Sequence, residues 1–377
     1  MIAVSRSHRI HAHAPADTRA WAPALPTGGD AGTRRRLIAI ASAAQRHWLL
    51  LLGLASSIGL VVAVNPPELG RAFGGVHTVP LLLMVPVAIA SYVARGLGWR
   101  VALRRIGVRI GYLRSIAVMI AGQALVFLPA GDLGRVALVV ETGSDGHERG
   151  EVAGTITFQE LVFMSVVGAA VIPIVVLHPA YASAVIALTV LDAAIAVTLL
   201  SERVFTRVLS IADRVPLVRR FDADIRRLRT AFVACVDGRT TAAVAAFSGL
   251  AAGLGFLLFE LSLRAVGVDE LGVANAAFIY GLGHLVGAVS MLPGGLGAYE
   301  GLLTGYLAFH GVPAWQGASA ALLYRFANDV LMALVGLGVG SALRMHAART
   351  ASTRDASRLP WSTDENGITM TAGGLAA

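Results

Sequence analysis

The 377-residue chain is 56% hydrophobic and only 14% charged, with a mean hydropathy of +0.69, a balance that excludes an ordinary water-soluble domain. All 31 basic residues are Arg and, against 23 acids, give a net charge of +8. They sit in short stretches beside apolar segments and form no aromatic-interleaved motif, so no nucleic acid is expected as a partner. The single Cys235 excludes an internal disulfide and a multi-cysteine metal site.

Residues 1–33 are rich in Ala, Pro, Gly and His and lack an apolar h-region, so they read as a disordered cytoplasmic tail rather than a cleaved signal peptide. His8, His11 and His13 read as incidental to that tail, not as metal ligands. A bilayer span takes about 20 mainly apolar residues. Such runs recur at 48–64, 80–94, 152–177, 182–200, 242–263 and 317–343.

Arg34, Arg35, Arg36 and Arg46 precede the first run, and the loop after it holds only Glu68 and Arg71. The positive-inside rule therefore places the N-terminus in the cytoplasm. The second run returns inward to Arg95, Arg100, Arg104, Arg105, Arg109 and Arg114, and residues 202–239 carry nine further Arg. Runs 152–177 and 182–200 form a hairpin around His178-Pro179. Both basic stretches share a side only if 115–140 enters and leaves by the same face. A re-entrant segment broken by Pro129, Gly131 and Gly134 meets that demand. The acidic stretch 141–151 is an awkward neighbour for a cytoplasmic loop.

Within 202–239, Val204, Phe205, Val208, Leu209 and Ile211 recur at helical spacing, as do Phe221, Ile225, Leu228 and Phe232 beyond Pro216. This predicts an amphipathic cytoplasmic connection over 201–240, with two helices on the membrane surface. Downstream, run 242–263 leads to Asp269-Glu270 outside, and Arg344, Arg349, Arg354 and Arg358 mark a cytoplasmic tail at 346–377, expected to be disordered. Either 273–292 and 296–310 both span, or they form a second re-entrant hairpin turning at Pro293-Gly294-Gly295. The expected fold is an all-α polytopic membrane protein: six to eight transmembrane helices with one or two re-entrant segments.

Leu128-Pro129-Ala130-Gly131-Asp132-Leu133-Gly134 echoes Leu292-Pro293-Gly294-Gly295-Leu296-Gly297, and an ionisable residue follows each, Arg135 and Glu300. Copies entering from opposite faces would form an inverted repeat, as in many transporters. The stretch from Ser290 to Glu300 resembles the signature of the lysylphosphatidylglycerol synthase transmembrane-region, or flippase-like, family. So do Arg95-Gly96-Leu97-Gly98-Trp99-Arg100, the first echo with Arg135, and Tyr324-Arg325, in the family's order across residues 45–345. Two departures stand out. The family's Arg after Glu160, and its Asp a turn later, are replaced by Leu161 and Met164. No soluble aminoacyl-transferring domain follows the last run in this sequence, so aminoacylation is not implied.

An ionisable group in hydrocarbon costs about 2.5–3.5 kcal/mol and usually meets a partner or a wet cavity. Glu160 lies mid-run with no base within a turn, and Glu260–Arg264 and Arg325–Asp329 are spaced to pair on one helix face. Arg135 and Arg325 suit a phosphate oxygen, while Pro293, Gly294, Gly295 and Gly297 leave backbone amides open to an anionic headgroup. His284 reads as a packed histidine. There is no nucleophile elbow and no phosphate-binding loop with Lys, so neither an enzyme nor a cofactor is expected.

The resemblance and the polar positions together imply a flippase-like protein of a bacterial or archaeal cell membrane with both termini cytoplasmic. Its substrate would be an anionic lipid or lipid-linked headgroup, in a cavity lined by Arg135, Glu160, Glu300 and Arg325. The alternatives are a scaffold subunit for a lipid-modifying or glycosylating membrane enzyme, or an intramembrane transferase joining Glu160, His284 and Glu300.

Overall fold

A computed structural model describes residues 74–125, 134–141, 148–177, 179–290, 295–356, 361–364 and 367–370. The expected tail at 1–33 and first run at 48–64 lie outside the described residues. Helix α1 (Thr78–Arg105) ends on Arg104 and Arg105. Helix α2 (Tyr112–Gly122) and a 3-10 turn (Gln123–Leu125) then run back along it, and α3 (Gly134–Glu141) follows. At 1.5 Å per residue α2 is about 16 Å long and α3 about 12 Å, well short of the roughly 30 Å hydrocarbon core. Gly122 lies against the aliphatic stem of Arg135, and Gly134 against Leu125. The chain has therefore reversed between them, and residues 115–140 enter and leave by one face.

Helix α4 (Arg149–Val171) crosses from that face and α5 (Ala182–Leu200) returns. Three helices then lie at the basic end: α6 (Glu202–Ala212), α7 (Pro216–Arg220) and α8 (Asp222–Cys235). The next crossing helix, α9 (Gly238–Ala265), is capped by Asp237, which accepts from the Thr240 amide. It runs antiparallel to α1. Ser91 Oγ donates to the Ala251 carbonyl at 3.2 Å, and the His77 amide to that of Ala265 at 2.9 Å.

Helices α10 (Val273–Val289) and α11 (Ala298–Phe309) form the second hairpin. Gly283 packs on Tyr299 and Leu303, and Gly295 on Gly287. Helix α12 (Ala314–Arg325) begins back beside the end of α9, where Gln316 Nε2 donates to the Val266 carbonyl at 3.2 Å. Two further crossings would return to the same face, so length decides. Helix α10 is about 25 Å long and α11 about 18 Å, both short of the roughly 30 Å hydrocarbon core. The second hairpin thus enters and leaves opposite the basic face. A π-helical turn (Phe326–Val330) joins α12 to α13 (Leu331–Ala356), completing five crossing helices among the described residues. The boundary read at 345 falls inside α13. Beyond it, antiparallel strands β1 (Trp361–Asp364) and β2 (Gly367–Met370) stand within the stretch expected to be disordered.

The order crossing helix, short hairpin, crossing helix occurs twice, as α1 to α4 and as α9 to α12, with opposite entry faces. The membrane surface is apolar: Val79, Leu82, Ile186, Val190, Leu250 and Leu334 are all exposed. Helix α6 keeps part of the expected surface character: Val208 and Ile211 are exposed, while Phe205 and Leu209 turn onto the protein. Helix α8 spends its apolar face on the protein. Its Leu228 carbonyl and Ala231 Cβ close on Gly154, and Phe232 meets Phe158 edge-on at 5.7 Å. A helical apolar stripe looks the same whether protein or lipid covers it.

The acidic approach to α4 has its own explanation. Glu148 pairs with Arg227 of α8, and the Glu151 carboxylate accepts from the Glu148 amide at 3.4 Å in the first turn. Single cysteines at Arg105 and Asp222 are expected to react with an impermeant maleimide from one side of the membrane, and one at Asp269 from the other. Native Cys235 will not confuse the readout, because burial pushes its thiol up to about 11. At pH 7 that leaves on the order of one thiolate in ten thousand. Labelling of Asp222→Cys and Asp269→Cys from the same side would overturn the topology.

Candidate functional site

The first polar cluster forms where the first hairpin meets α1 and α4. Arg135, in the first turn of α3, is fully buried. It donates from Nη2 to Glu160 Oε1 at 3.0 Å, touches Met119 Sδ at 3.1 Å and lies 5.5 Å from the Trp99 ring. Arg95 of α1 reaches the same carboxylate, with Nη2 at 2.7 Å from both oxygens. Two guanidiniums thus converge on one acid. The side chains of Arg95 and Glu160 are 21% and 25% exposed, against 0% for Arg135, so they form the open edge of the cluster.

Local sequence explains this convergence. Gly96 admits α2, since a Cβ there would stand 2.9 Å from Ile116 Cα, and the Gly96 carbonyl accepts from Ser115 Oγ at 2.7 Å. Gly98 admits α9 beside Phe247. Trp99 Nε1 donates to Thr155 Oγ1 at 2.9 Å, fixing α4, and Arg100 Nε holds the Ile110 carbonyl at 2.9 Å just before the hairpin. With α1, α2 and α4 fixed in this way, Arg95 falls opposite Glu160.

The second cluster forms where the second hairpin meets α12. Gly295 and Gly297 have φ of +67° and +82°, a region that L side chains rarely occupy. This backbone puts the Gly297 amide 2.7 Å from Glu300 Oε2. Glu300 Oε1 accepts from Arg325 Nε at 2.6 Å, and Arg325 Nη1 donates to Asp329 Oδ2 at 2.6 Å. All three side chains are buried, so of the four residues expected to line a cavity Arg135, Glu300 and Arg325 sit inside the bundle and Glu160 has an open edge. Pro293 and Gly294 lie outside the described residues.

In both clusters a residue at the start of the hairpin's returning helix pairs with a residue 25 positions on, Arg135 with Glu160 and Glu300 with Arg325. The charges are exchanged. Among the described residues the first cluster has two guanidiniums and one carboxylate, the second two carboxylates and one guanidinium. A string of rings joins them: Arg95 over Phe163 at 5.1 Å, Phe163 to His284 at 6.1 Å, His284 to Tyr299 at 5.6 Å, and Arg325 over Tyr299 at 5.3 Å. His284 also meets the Tyr280 carbonyl through Nδ1 at 3.1 Å.

The family model for the lysylphosphatidylglycerol synthase transmembrane region matches residues 50–336. The chain belongs to that family. It is accordingly a multi-pass membrane protein linked to lipid handling. A comparison with curated proteins finds no match.

Where Leu161 and Met164 depart from the pattern of the lysylphosphatidylglycerol synthase transmembrane region, Arg95 and Arg135 supply Glu160 with guanidiniums from other helices. One turn further on, Ser165 Oγ donates to Asp192 Oδ2 of α5 at 2.7 Å. Sequence reasoning missed Asp192, although a lone acid in the apolar run 182–200 is itself a signal. It also missed Arg95 as a partner of Glu160, because that contact joins residues 65 positions apart. The Glu260–Arg264 pair forms as spaced, at 3.1 Å.

Proposed function

We propose that the protein moves a lipid with an anionic, phosphate-bearing headgroup between leaflets, its hydrocarbon chains remaining in the bilayer. The carrying observation is the pair of guanidiniums that meets Glu160 at a half-open edge inside the membrane. A guanidinium fork matches a phosphate oxygen pair, and an arginine held that deep has a functional role by default. Glu160 keeps the two cations together until a headgroup exchanges for it. The two inverted hairpins would offer such a site to each face in turn. The orientation proposed is basic face and both termini in the cytoplasm.

A transferase reading gains little, since its three expected residues do not converge. Glu160 is held by Arg95 and Arg135, Glu300 by Arg325, and His284 lies between them among rings. A scaffold for a membrane enzyme has α5 in its favour, of which only Val185 and Leu199 are buried, leaving a flank for a partner.

Reconstitution into liposomes with fluorescent phosphatidylglycerol, quenched from outside, tests the reading. Wild-type protein is expected to expose inner-leaflet label, and Glu160→Gln to slow this by about tenfold or more, the scale of a charge-assisted hydrogen bond worth about 1.5–3 kcal/mol. Wild-type rates from the Gln variant at equal reconstitution would reduce Glu160 to a packing residue. No movement of any anionic lipid by the wild type would favour the scaffold.

A further inference from the structure

We propose that Asp329 is a reversible proton-binding site, and that its protonation couples the second hairpin to the first. Glu300 and Asp329 share one guanidinium, so with both ionised the triad carries one excess negative charge among the described residues. Its side chains are only 1%, 10% and 10% exposed for Glu300, Arg325 and Asp329. A buried net charge at that depth is unfavourable, and one proton removes it.

The geometry points to which acid takes the proton. Both Glu300 oxygens face groups that can only donate, the Arg325 guanidinium and the Gly297 amide. Neither Glu300 oxygen therefore faces a group that could accept a proton from it. Asp329 Oδ2 faces Arg325, but Oδ1 lies 2.7 Å from the side-chain amide of Asn328. Turned one way that amide donates to a carboxylate, and turned over it accepts from a carboxylic acid. The proton comes from water, resides on Oδ1 and returns to water, changing the triad from one negative charge to none.

Two independent features mark the position. Asp329 lies in the π-helical turn, a local departure from α-helix that is frequent at functional sites. Tyr299 and Tyr324, both more than nine-tenths buried, bring their hydroxyls together, with that of Tyr280 beside Tyr324. They flank the triad: Arg325 lies over the Tyr299 ring, which stacks on Tyr324 at 5.5 Å. Neighbouring hydroxyls of this kind can relay a proton.

The π turn is also tied to the other half of the molecule. Tyr92 of α1 donates to the Asn328 carbonyl at 3.0 Å, and its hydroxyl lies 3.2 Å from the Gln123 amide at the tip of the first hairpin. Among the described residues the ionisable groups around Asp329 are Arg325, Glu300, Tyr299, Tyr324 and Tyr92. Of the two acids that share Arg325, only Asp329 faces a group that can accept as well as donate.

The test is an infrared titration of purified protein in nanodiscs of zwitterionic lipid, in an Asp192→Asn background that removes a mid-helix carboxyl whose hydrogen-bond partner is the neutral Ser165. A protonated carboxylic-acid carbonyl band should appear and bleach with pH. It should vanish in Asp329→Asn, and also in Glu300→Gln, where Arg325 and Asp329 balance alone. It should move to higher frequency in Asn328→Leu, which lacks the acceptor, and persist in Glu160→Gln. Absence of the band, or its persistence in Asp329→Asn, would overturn the assignment. So would insensitivity to Asn328→Leu, which would move the proton to Glu300, or a band bleached by sodium but not by choline, which would mean a metal cation. The link to lipid movement rests on the transport reading. In liposomes the exchange rate of fluorescent phosphatidylglycerol should respond to an imposed pH gradient, and in Asp329→Asn the with-gradient to without-gradient ratio should fall to one. A band without lipid movement sinks the transport reading and leaves the proton site standing. Movement that ignores the gradient in the wild type sinks the coupling.

Discussion

Arg325→Met is expected to be the most damaging single substitution, because it strands Glu300 and Asp329 in the bundle without their shared cation. Breaking a buried ion pair by removing one partner costs about 3–5 kcal/mol, and here two carboxylates lose bonds of 2.6 Å. The Glu300 contact is also one of the ties between α11 and α12, beside the Tyr299–Tyr324 stack. A sharp fall in the detergent unfolding temperature should therefore accompany loss of monodisperse protein. Neutralising the acids together, as Arg325→Met/Glu300→Gln/Asp329→Asn, should restore most of the stability, since polar partners of similar shape replace ions. Were Arg325→Met alone as stable as the wild type, the triad would not be what fastens the second hairpin.

The second large effect is expected at Gly336. Helix α13 approaches the first hairpin so closely here that a Cβ would collide with the Ile120 carbonyl and come within 3.1 Å of the Ala124 amide nitrogen. Both obstacles are backbone, which cannot rotate aside. Gly336→Val should cost at least the upper part of the roughly 1–3 kcal/mol typical of overpacking, seen as a lowered unfolding temperature. Gly338, two residues on, meets nothing within 4 Å. Gly338→Ala is expected to be neutral or to stabilise by about 0.5–1 kcal/mol through helix propensity. Equal behaviour of the two variants would show that the hairpin does not dock on α13 as described.

Much of this architecture is written locally. Gly134 beside Leu125 and Gly283 beside Tyr299 are hairpin contacts; the first hairpin was legible from glycines and proline interrupting a short apolar run, while the second stood in the sequence as one of two alternatives. Arginine clustering separated the two faces. The pairing of Arg325 with Asp329 followed from helical spacing. What stayed hidden was set by tertiary approach. Nothing in the run around Glu160 indicates that Arg95 and Arg135 arrive from other helices. The partner of the amphipathic pattern in α8 was protein rather than lipid, and hydrophobic period alone does not separate those cases. The core position of Glu300, expected to line a cavity, follows from the tight Gly295–Gly297 backbone, whose φ angles are a property of the folded turn.

Helix α5 is fastened like a bowstring. One end is pinned where Tyr181 packs on Phe278 and Tyr306 at 5.8 and 5.6 Å, and the other where the Leu200 carbonyl accepts from Arg229. Between them only Val185 and Leu199 are buried, and the polar attachment at mid-depth is the Ser165–Asp192 hydrogen bond. In lipid there is no hydrophobic force holding one apolar helix against another, and an interhelical hydrogen bond is worth about 0.6 kcal/mol on average. Bowing the middle of α5 outward thus exchanges side-chain contacts for equivalent lipid contacts at a cost near thermal energy. The seam between α4 and α5 is therefore one that hydrocarbon from the bilayer can enter at little cost.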